Sequence, residues 1–176
     1  VRFPVGPPSS IMKFLRVGKI GQEKPAVLLK NGNVLDLSNN IKDFDSDTLR
    51  MENLDEIKKI CESDLHKNFN SLENIRIGPC INKPGKFIGI GLNYSDHAKE
   101  TGMSPPKEPI VFLKANSCVS GPYDDVIIPK NSKKTDWEIE LGVIMGKRAQ
   151  YISEDESLSH IFGYCIVNDI SEREFQ

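Results

Sequence analysis

Two glutamates one residue apart, and an aspartate closing a separate apolar run, are the side chains of this sequence best suited to chemistry. Glu138 and Glu140 flank Ile139 in Asp136-Trp-Glu-Ile-Glu-Leu-Gly142. Side chains on a strand alternate, so both carboxylates face one side, about 7 Å apart at Cβ, while Trp137, Ile139 and Leu141 face the other. Two anions so placed repel, and the repulsion is relieved by a raised pKa, by solvent or by a bound cation. By itself Glu-x-Glu describes an edge strand with one wet face. The run Tyr164-Cys-Ile-Val-Asn-Asp169 adds an apolar strand that ends in a carboxylate, and a buried anion needs a partner. Carboxylates from two strands suit a hard, oxygen-binding ion such as Mg²⁺, which takes about six oxygens at about 2.0 to 2.1 Å. Asp169 also reads as a simple turn or cap residue ahead of Ser171.

A second constellation lies in Gly89-Ile-Gly-Leu-Asn-Tyr-Ser-Asp-His-Ala-Lys-Glu100, a strand that turns into a helix. His97 and Glu100 are i and i+3 there, hence neighbours on one helix face. A carboxylate beside an imidazole fixes its tautomer and raises its basicity, which suits His97 to act as a general base on water. Charged residues on a solvated helix produce the same pair by accident. The Gly-x-Gly lacks a third glycine at dinucleotide-binding spacing. His66 and His160 have no comparable company and read as surface or packing residues.

The elements that must hold these groups can be read from the rest of the chain. It has 176 residues, 38% hydrophobic and 27% charged, enough for one ordinary core or two small ones. Lys and Arg number 23 against 25 Asp and Glu, a net charge of -2, which gives no electrostatic reason to bind nucleic acid or an anionic membrane. No apolar stretch approaches the roughly 20 residues of a bilayer span. Cys61, Cys80, Cys118 and Cys165 form no C-x-x-C pair and read as free thiols of a cytoplasmic protein. Residues 1–11 carry three prolines and no periodicity and read as an unstructured upstream extension.

From Met12 short strands are expected: Met12 to Val17, Ala26 to Leu29, then an Asn31-Gly32 hairpin turn before Val34 to Leu37. Asn53 with Glu56 resembles a capping box, and Leu54, Ile57, Cys61 and Leu65 recur at helical spacing, so a helix is expected from Asn53 to about Lys67. Glycine and proline concentrate between Ile77 and Gly85, which places a linker there. A small N-terminal domain over 12–80 and a second, mostly strand domain over 84–176 follow. Strands are expected at Phe87 to Leu92, Pro109 to Lys114, Val126 to Ile128, Trp137 to Gly146 and Tyr164 to Ile170. Short helices are expected at Ser95 to about Thr101 and from the Ser153-x-x-Glu156 box to before Gly163.

The run Gly91-Leu-Asn-Tyr-Ser-Asp-His-Ala-Lys-Glu100, then Phe112-Leu-Lys114, Gly121-Pro122, Lys134-Thr-Asp-Trp-Glu-Ile-Glu140 and Gly163-Tyr-Cys-Ile-Val-Asn-Asp-Ile-Ser171, resembles the fumarylacetoacetate hydrolase family in order and spacing. The resemblance extends from Met12 to Gln176. The Met-Lys-Phe-Leu-Arg16 opening with Gly-Gln-Glu-Lys-Pro25 is most similar to a bacterial branch of ureidoglycolate lyases and 2,4-diketo-3-deoxy-sugar-acid hydrolases. It implies a mixed α/β, mainly β fold: the small N-terminal α+β domain followed by part of a β-roll. It also implies Mg²⁺ or Mn²⁺ on Glu138, Glu140 and Asp169, a His97–Glu100 catalytic dyad and a homodimer in the full-length form. The implied reaction is hydrolytic C–C cleavage of a small anionic 2,4-diketo acid or acylpyruvate. Ureidoglycolate lysis and oxaloacetate-type decarboxylation on the same site, and a non-catalytic metal-binding remnant, are the alternatives. Asn93 stands where some members carry a further acidic ligand, and it is expected near the ion. Glu172-Arg173-Glu174 replaces a common Ala-Arg-Asp, leaving substrate identity open. Family members continue past Gln176 through a lysine-bearing loop that helps hold the substrate and further strands, so this chain is expected to be a truncated, incomplete enzyme with little or no hydrolase activity.

Overall fold

A computed structural model describes residues 12–29, 31–63, 69–100, 102, 104 and 106–176, with the backbone alone described for residues 69–71, 97, 98 and 100. The upstream extension, the expected helix end near Lys67, His66 and Thr101 lie outside the described residues. In chain order the elements are β1 (Lys13–Val17), β2 (Lys24–Leu28), β3 (Asn33–Asp36), α1 (Leu54–Ser63), β4 (Phe69–Ser71), β5 (Ile88–Gly91), α2 (Ser95–Glu100), β6 (Ile110–Leu113), β7 (Thr135–Asp136), β8 (Ile139–Met145), α3 (Glu154–Ser157), β9 (Ile161–Asn168) and β10 (Ser171–Glu172). The fold is therefore mixed and mostly strand. No helix among the described residues is long and apolar enough to cross a membrane. The chain divides into two compact units, one made of Val1–Asn82 with Gly121–Gln176 and the other of Lys83–Ser120.

In the larger unit β1 to β4 form an antiparallel sheet in sequential order. The Asn31-Gly32 turn is present: Gly32, at a φ of 85°, donates its amide to Leu29 O at 3.0 Å, and Leu28 faces Val34 across the pair. Alternation then sorts the apolar residues. Val27 and Leu35 join Leu37 and Phe44 on one face, while Val17, Ala26 and Val34 pack on the other. The helix α1 covers the first face through Ile57 and Cys61, four residues apart on one stripe. A 3₁₀ turn over Met51–Asn53 leads into it, where Asn53 Nδ2 donates back to Asp47 O at 2.9 Å. Phe44 is fully buried, with the Phe14 ring edge-on at 5.0 Å. Burying one such side chain contributes roughly 1.5 to 3 kcal/mol. Ile144 of β8 and Phe162 of β9 rest on the same cluster, and Gly146 O accepts from Met51 N at 2.9 Å.

Two arginines brace this unit. Arg16, only 3% exposed, grips Asp43 with both prongs of its guanidinium, Nε to Oδ1 at 2.6 Å and Nη2 to Oδ2 at 2.9 Å. A buried cation tolerates that position because the fork matches a carboxylate. Arg76 does the same with Asp124, both bonds at 2.6 Å, and donates Nη1 to Glu23 Oε1 at 2.8 Å. The Arg76 hydrogen bonds, joined by one from the Gly121 amide, hold the Asp124 carboxyl below its ordinary value. At Glu23 burial pushes upward and is outweighed by Arg76 and Arg16. A depressed folded value means that this stability is present above the unfolded carboxylate value, about 3.9, and lost as pH falls through the lower folded value. Denaturant unfolding is therefore expected to show an acid loss of stability below about pH 4 that Arg76→Gln flattens. An unchanged acid limb in the variant would remove the brace from the account.

β7 pairs with β10 and β8 with β9, both antiparallel. The Ser153 box is formed: Ser153 Oγ and its amide both meet Glu156 Oε2, at 2.9 and 3.1 Å. Behind it α3 runs on into a 3₁₀ turn that buries His160, whose Nδ1 lies 3.0 Å from Glu156 O. One expected strand is absent. Val126 to Ile128 pairs with nothing described and is 48%, 91% and 60% exposed. Its apolar β-branched residues signal a strand, but Pro129 ends the run without an amide to continue a ladder.

In the smaller unit β5 and β6 pair antiparallel, with Gly89 opposite Phe112. The phenyl ring lies across Gly89, where an added Cβ would come within 2.2 Å of it. Leu92 then takes a left-handed φ of 51°, and α2 begins three residues later.

Candidate functional site

The carboxylates of the larger unit are positioned by the β8–β9 pair. Ile139 faces Asn168 and Glu140 faces Val167. Beyond the regular ladder the Asp169 amide donates to Glu138 O at 2.8 Å, and the Glu138 amide donates to Asn168 Oδ1 at 3.1 Å. Glu138 and Asp169 thus close the joined end of two strands, with Glu140 one pleat further in. The alternation holds but with the opposite sense to an edge strand with a wet polar face. Glu138, Glu140 and Asp169 are half-buried, whereas Trp137, Ile139 and Leu141 are 71%, 65% and 52% exposed.

The residue to which the sequence pattern assigns no part at the carboxylates is Arg173. The β7–β10 pair sets Ser171 against Asp136, and the Arg173 amide then reaches Lys134 O at 3.0 Å. Its guanidinium makes a short contact with Glu138 Oε1 and donates from Nη2 to Asp136 Oδ2 at 3.0 Å. Bonds to Glu138 first and Asp136 second raise the arginine's pKa above its ordinary value. An arginine four residues after Asp169, beside Asp136-x-Glu138, is the signal that could have found it. Nearby, Glu172 accepts hydrogen bonds from Ser132 and Thr135 hydroxyls, which hold its carboxyl below the usual range.

Among the described residues no three His, Cys, Asp or Glu side chains stand together as a ready cation site. The donor set fits Mg²⁺ or Mn²⁺ by type, being hard carboxylate oxygens, and Glu138 and Asp169 are tied through their backbones at one strand end. Glu138 as placed spends an oxygen on Arg173.

In the smaller unit His97 and Glu100 both lie on α2, at the expected i and i+3 positions. Their side chains are outside the described residues. Asn93 is exposed and turns its amide inward to its own loop, Nδ2 donating to Ile90 O at 2.9 Å.

Residues 86–176 match the family described as fumarylacetoacetate (FAA) hydrolase C-terminal. Over 165 residues the chain is 48% identical to a Burkholderia ambifaria protein provisionally named a hydrolase, covering 94% of this chain and 57% of that one. Among solved structures, fumarylacetoacetate hydrolase from psychrophilic Exiguobacterium antarcticum superposes with a TM-score of 0.65 at 25% identity, over 94% of this chain and 58% of its own. Maleylpyruvate hydrolase from Sphingobium sp. SYK-6, crystallised with manganese(II) and pyruvate, gives a TM-score of 0.75 at 20% identity, over 93% of this chain and 60% of its own, a likeness of fold. The likeness to these solved structures runs over nearly the whole of this chain, which is itself mixed and mostly strand. The chain belongs to the fumarylacetoacetate hydrolase family. It spans a little over half the length of the curated relatives it matches.

Proposed function

We propose that the protein carrying this chain is a divalent-metal-dependent hydrolase that cleaves a C–C bond of a 2,4-diketo acid or acylpyruvate. The observation that carries the reading is the sheltered carboxylate face of β8 and β9, with Asp169 bound through its amide to Glu138 O at 2.8 Å. Apolar side chains take the exposed face of the same pair, an arrangement without purpose for solvation and suited to holding charge against charge. Glu138, Glu140 and Asp169 are assigned as the ligands of Mg²⁺ or Mn²⁺. The ion, when bound, supplies a Lewis acid that polarises the keto-acid oxygens. Arg173 holds Glu138 and keeps part of the site's negative charge neutralised without the ion.

His97 takes a proton from water at its unprotonated ring nitrogen, and Glu100 fixes the tautomer and stabilises the imidazolium that results. The water oxygen bonds to the acyl carbon, the bond from that carbon to the adjacent methylene breaks with its electron pair leaving as the enolate of the keto acid, and the proton held on His97 returns to the methylene carbon, so the products are a carboxylic acid, which loses its proton to solvent, and a pyruvate-type acid. The division into domains over 12–80 and 84–176, a homodimer, a cytoplasmic location and a small anionic keto-acid substrate belong to the same proposal. The manganese and pyruvate of the Sphingobium protein support the metal class and the substrate class.

The test is turnover of an acylpyruvate by the protein, in EDTA and again after Mg²⁺ or Mn²⁺ is restored. Activity lost in EDTA and recovered with either ion is expected. A full rate in EDTA rejects the metal assignment, and release of CO₂ from oxaloacetate or lysis of ureidoglycolate without acylpyruvate cleavage moves the site to those reactions.

A further inference from the structure

Strands β7 and β10 hold only two residues each, and a pairing so short is marginal unless something else fastens it. Here hydrogen bonds do so at three successive positions around Arg173. Before it, Glu172 Oε2 accepts from the Thr135 hydroxyl at 2.5 Å and from the Ser132 hydroxyl in a short contact, all three residues being half-buried. At Arg173 itself the amide donates to Lys134 O at 3.0 Å. After it, Glu174 Oε2 accepts from the Lys133 amide at 3.0 Å, and the other Glu172 oxygen accepts from the Glu174 amide at 3.1 Å. The backbone of residue 173 is thereby fixed against residues 132–135. From that fixed root the guanidinium reaches Asp136 Oδ2 through Nε at 3.2 Å and Nη2 at 3.0 Å, and it meets Glu138 Oε1 through the same Nη2.

We propose that Glu172 is a positioning residue: by fastening Ser132 and Thr135 it holds the Arg173 guanidinium on Glu138, and so limits how tightly the carboxylate face takes a divalent ion. The inference rests on the assignment of Glu138 as a metal ligand. An ion that needs the Glu138 oxygen competes with the guanidinium already on it. Arginine is long and gives up rotamer freedom to stay in one pose, so a guanidinium with a fixed root competes better than one on a loose strand. The sign of the effect separates this role from simple electrostatics. Removing a negative charge near a cation site weakens cation binding, whereas freeing Arg173 from Glu138 strengthens it. Glu172→Ala does both at once, and Glu172→Gln removes the charge while keeping an oxygen that the two hydroxyls can reach. Ser132→Ala with Thr135→Val cuts the same fastening from the other strand and leaves every charge in place.

The experiment is Mn²⁺ titration calorimetry on the full chain and on these variants, with NMR detection of the Arg173 Nε–H in each before the ion is added. Glu172→Ala and the Ser132→Ala/Thr135→Val double variant are expected to bind Mn²⁺ about 2- to 5-fold more tightly, the worth of one partly exposed ion pair, and to lose protection of the Arg173 Nε–H from exchange. Glu172→Gln is expected to keep the protection and gain no affinity. With Arg173→Gln already in place, Glu172→Ala is expected to bring no further tightening, because the two changes act through one guanidinium. Should Glu172→Ala fail to fold, the double variant decides alone. Weaker Mn²⁺ binding in the variants would make the fastening a structural prop and overturn the proposal. Unchanged affinity with the Arg173 Nε–H still protected, or equal tightening with Arg173 already replaced, would overturn it as well. A wild-type chain that takes up no Mn²⁺ rejects the metal assignment itself, and the proposal falls with it; normal uptake with unmoved variants rejects the role of Glu172 alone.

Discussion

Glu140→Ala is expected to lower affinity for Mg²⁺ or Mn²⁺ by more than about 100-fold and to abolish the metal-dependent turnover of an acylpyruvate. Groups that only orient a ligand already cost about 10- to 100-fold in metal affinity when removed, so loss of a direct ligand sets a larger effect. Glu138→Ala is expected to do the same, for the same reason: each change lowers both the ligand count and the negative charge. Arg173 sharpens the test. Its guanidinium is bound to Glu138 and Asp136, so an incoming cation must displace a charge already in place. Arg173→Gln should therefore tighten metal binding while the two glutamate variants weaken it. Titration calorimetry reads all three, and unchanged Mg²⁺ affinity in both glutamate variants would reject the assignment.

His97→Ala is expected to leave metal affinity intact and to lower turnover by roughly 10² to 10⁴, the usual worth of a general base. The two readouts separate the dyad from the carboxylates. Glu100→Gln keeps the shape and removes the charge that stabilises an imidazolium. The His97 pKa then falls, the base stays unprotonated to lower pH, and the acidic limb of the pH–rate profile moves to lower pH. A variant at His97 that loses metal makes the histidine a ligand or a support. One that changes nothing returns both residues to the solvated helix face.

How much of this was legible in the sequence depends on whether the deciding interaction is local. The Asn31-Gly32 turn and the Ser153 box involve neighbours a few residues apart, and both stand where the pattern put them. The alternation that sets Glu138 and Glu140 against Ile139 and Leu141 was also readable, because a pleat has period two. Which face would be sheltered was not, since that depends on what packs against the pair. Val126 to Ile128 shows the limit from the other side: a good strand composition without a partner remains an extended, exposed run. Arg173 on Glu138 and Asp124 on Arg76 escaped notice for one common reason. They join residues 35 and 48 positions apart, and no periodicity records that.

The turn between β5 and α2 carries a last consequence. Leu92 adopts a left-handed backbone at a φ of 51° although Gly91, which could do so without strain, is its neighbour. A residue with a Cβ gives up roughly 1 to 2 kcal/mol in that conformation. Asn93 Nδ2 on Ile90 O closes the loop around it. The joint that aims the helix of His97 is thus a loaded one. Glycine at 92 would unload it and also widen the angles at which the helix can leave the strand, so selection for robustness and selection for aim pull in opposite directions at this one residue.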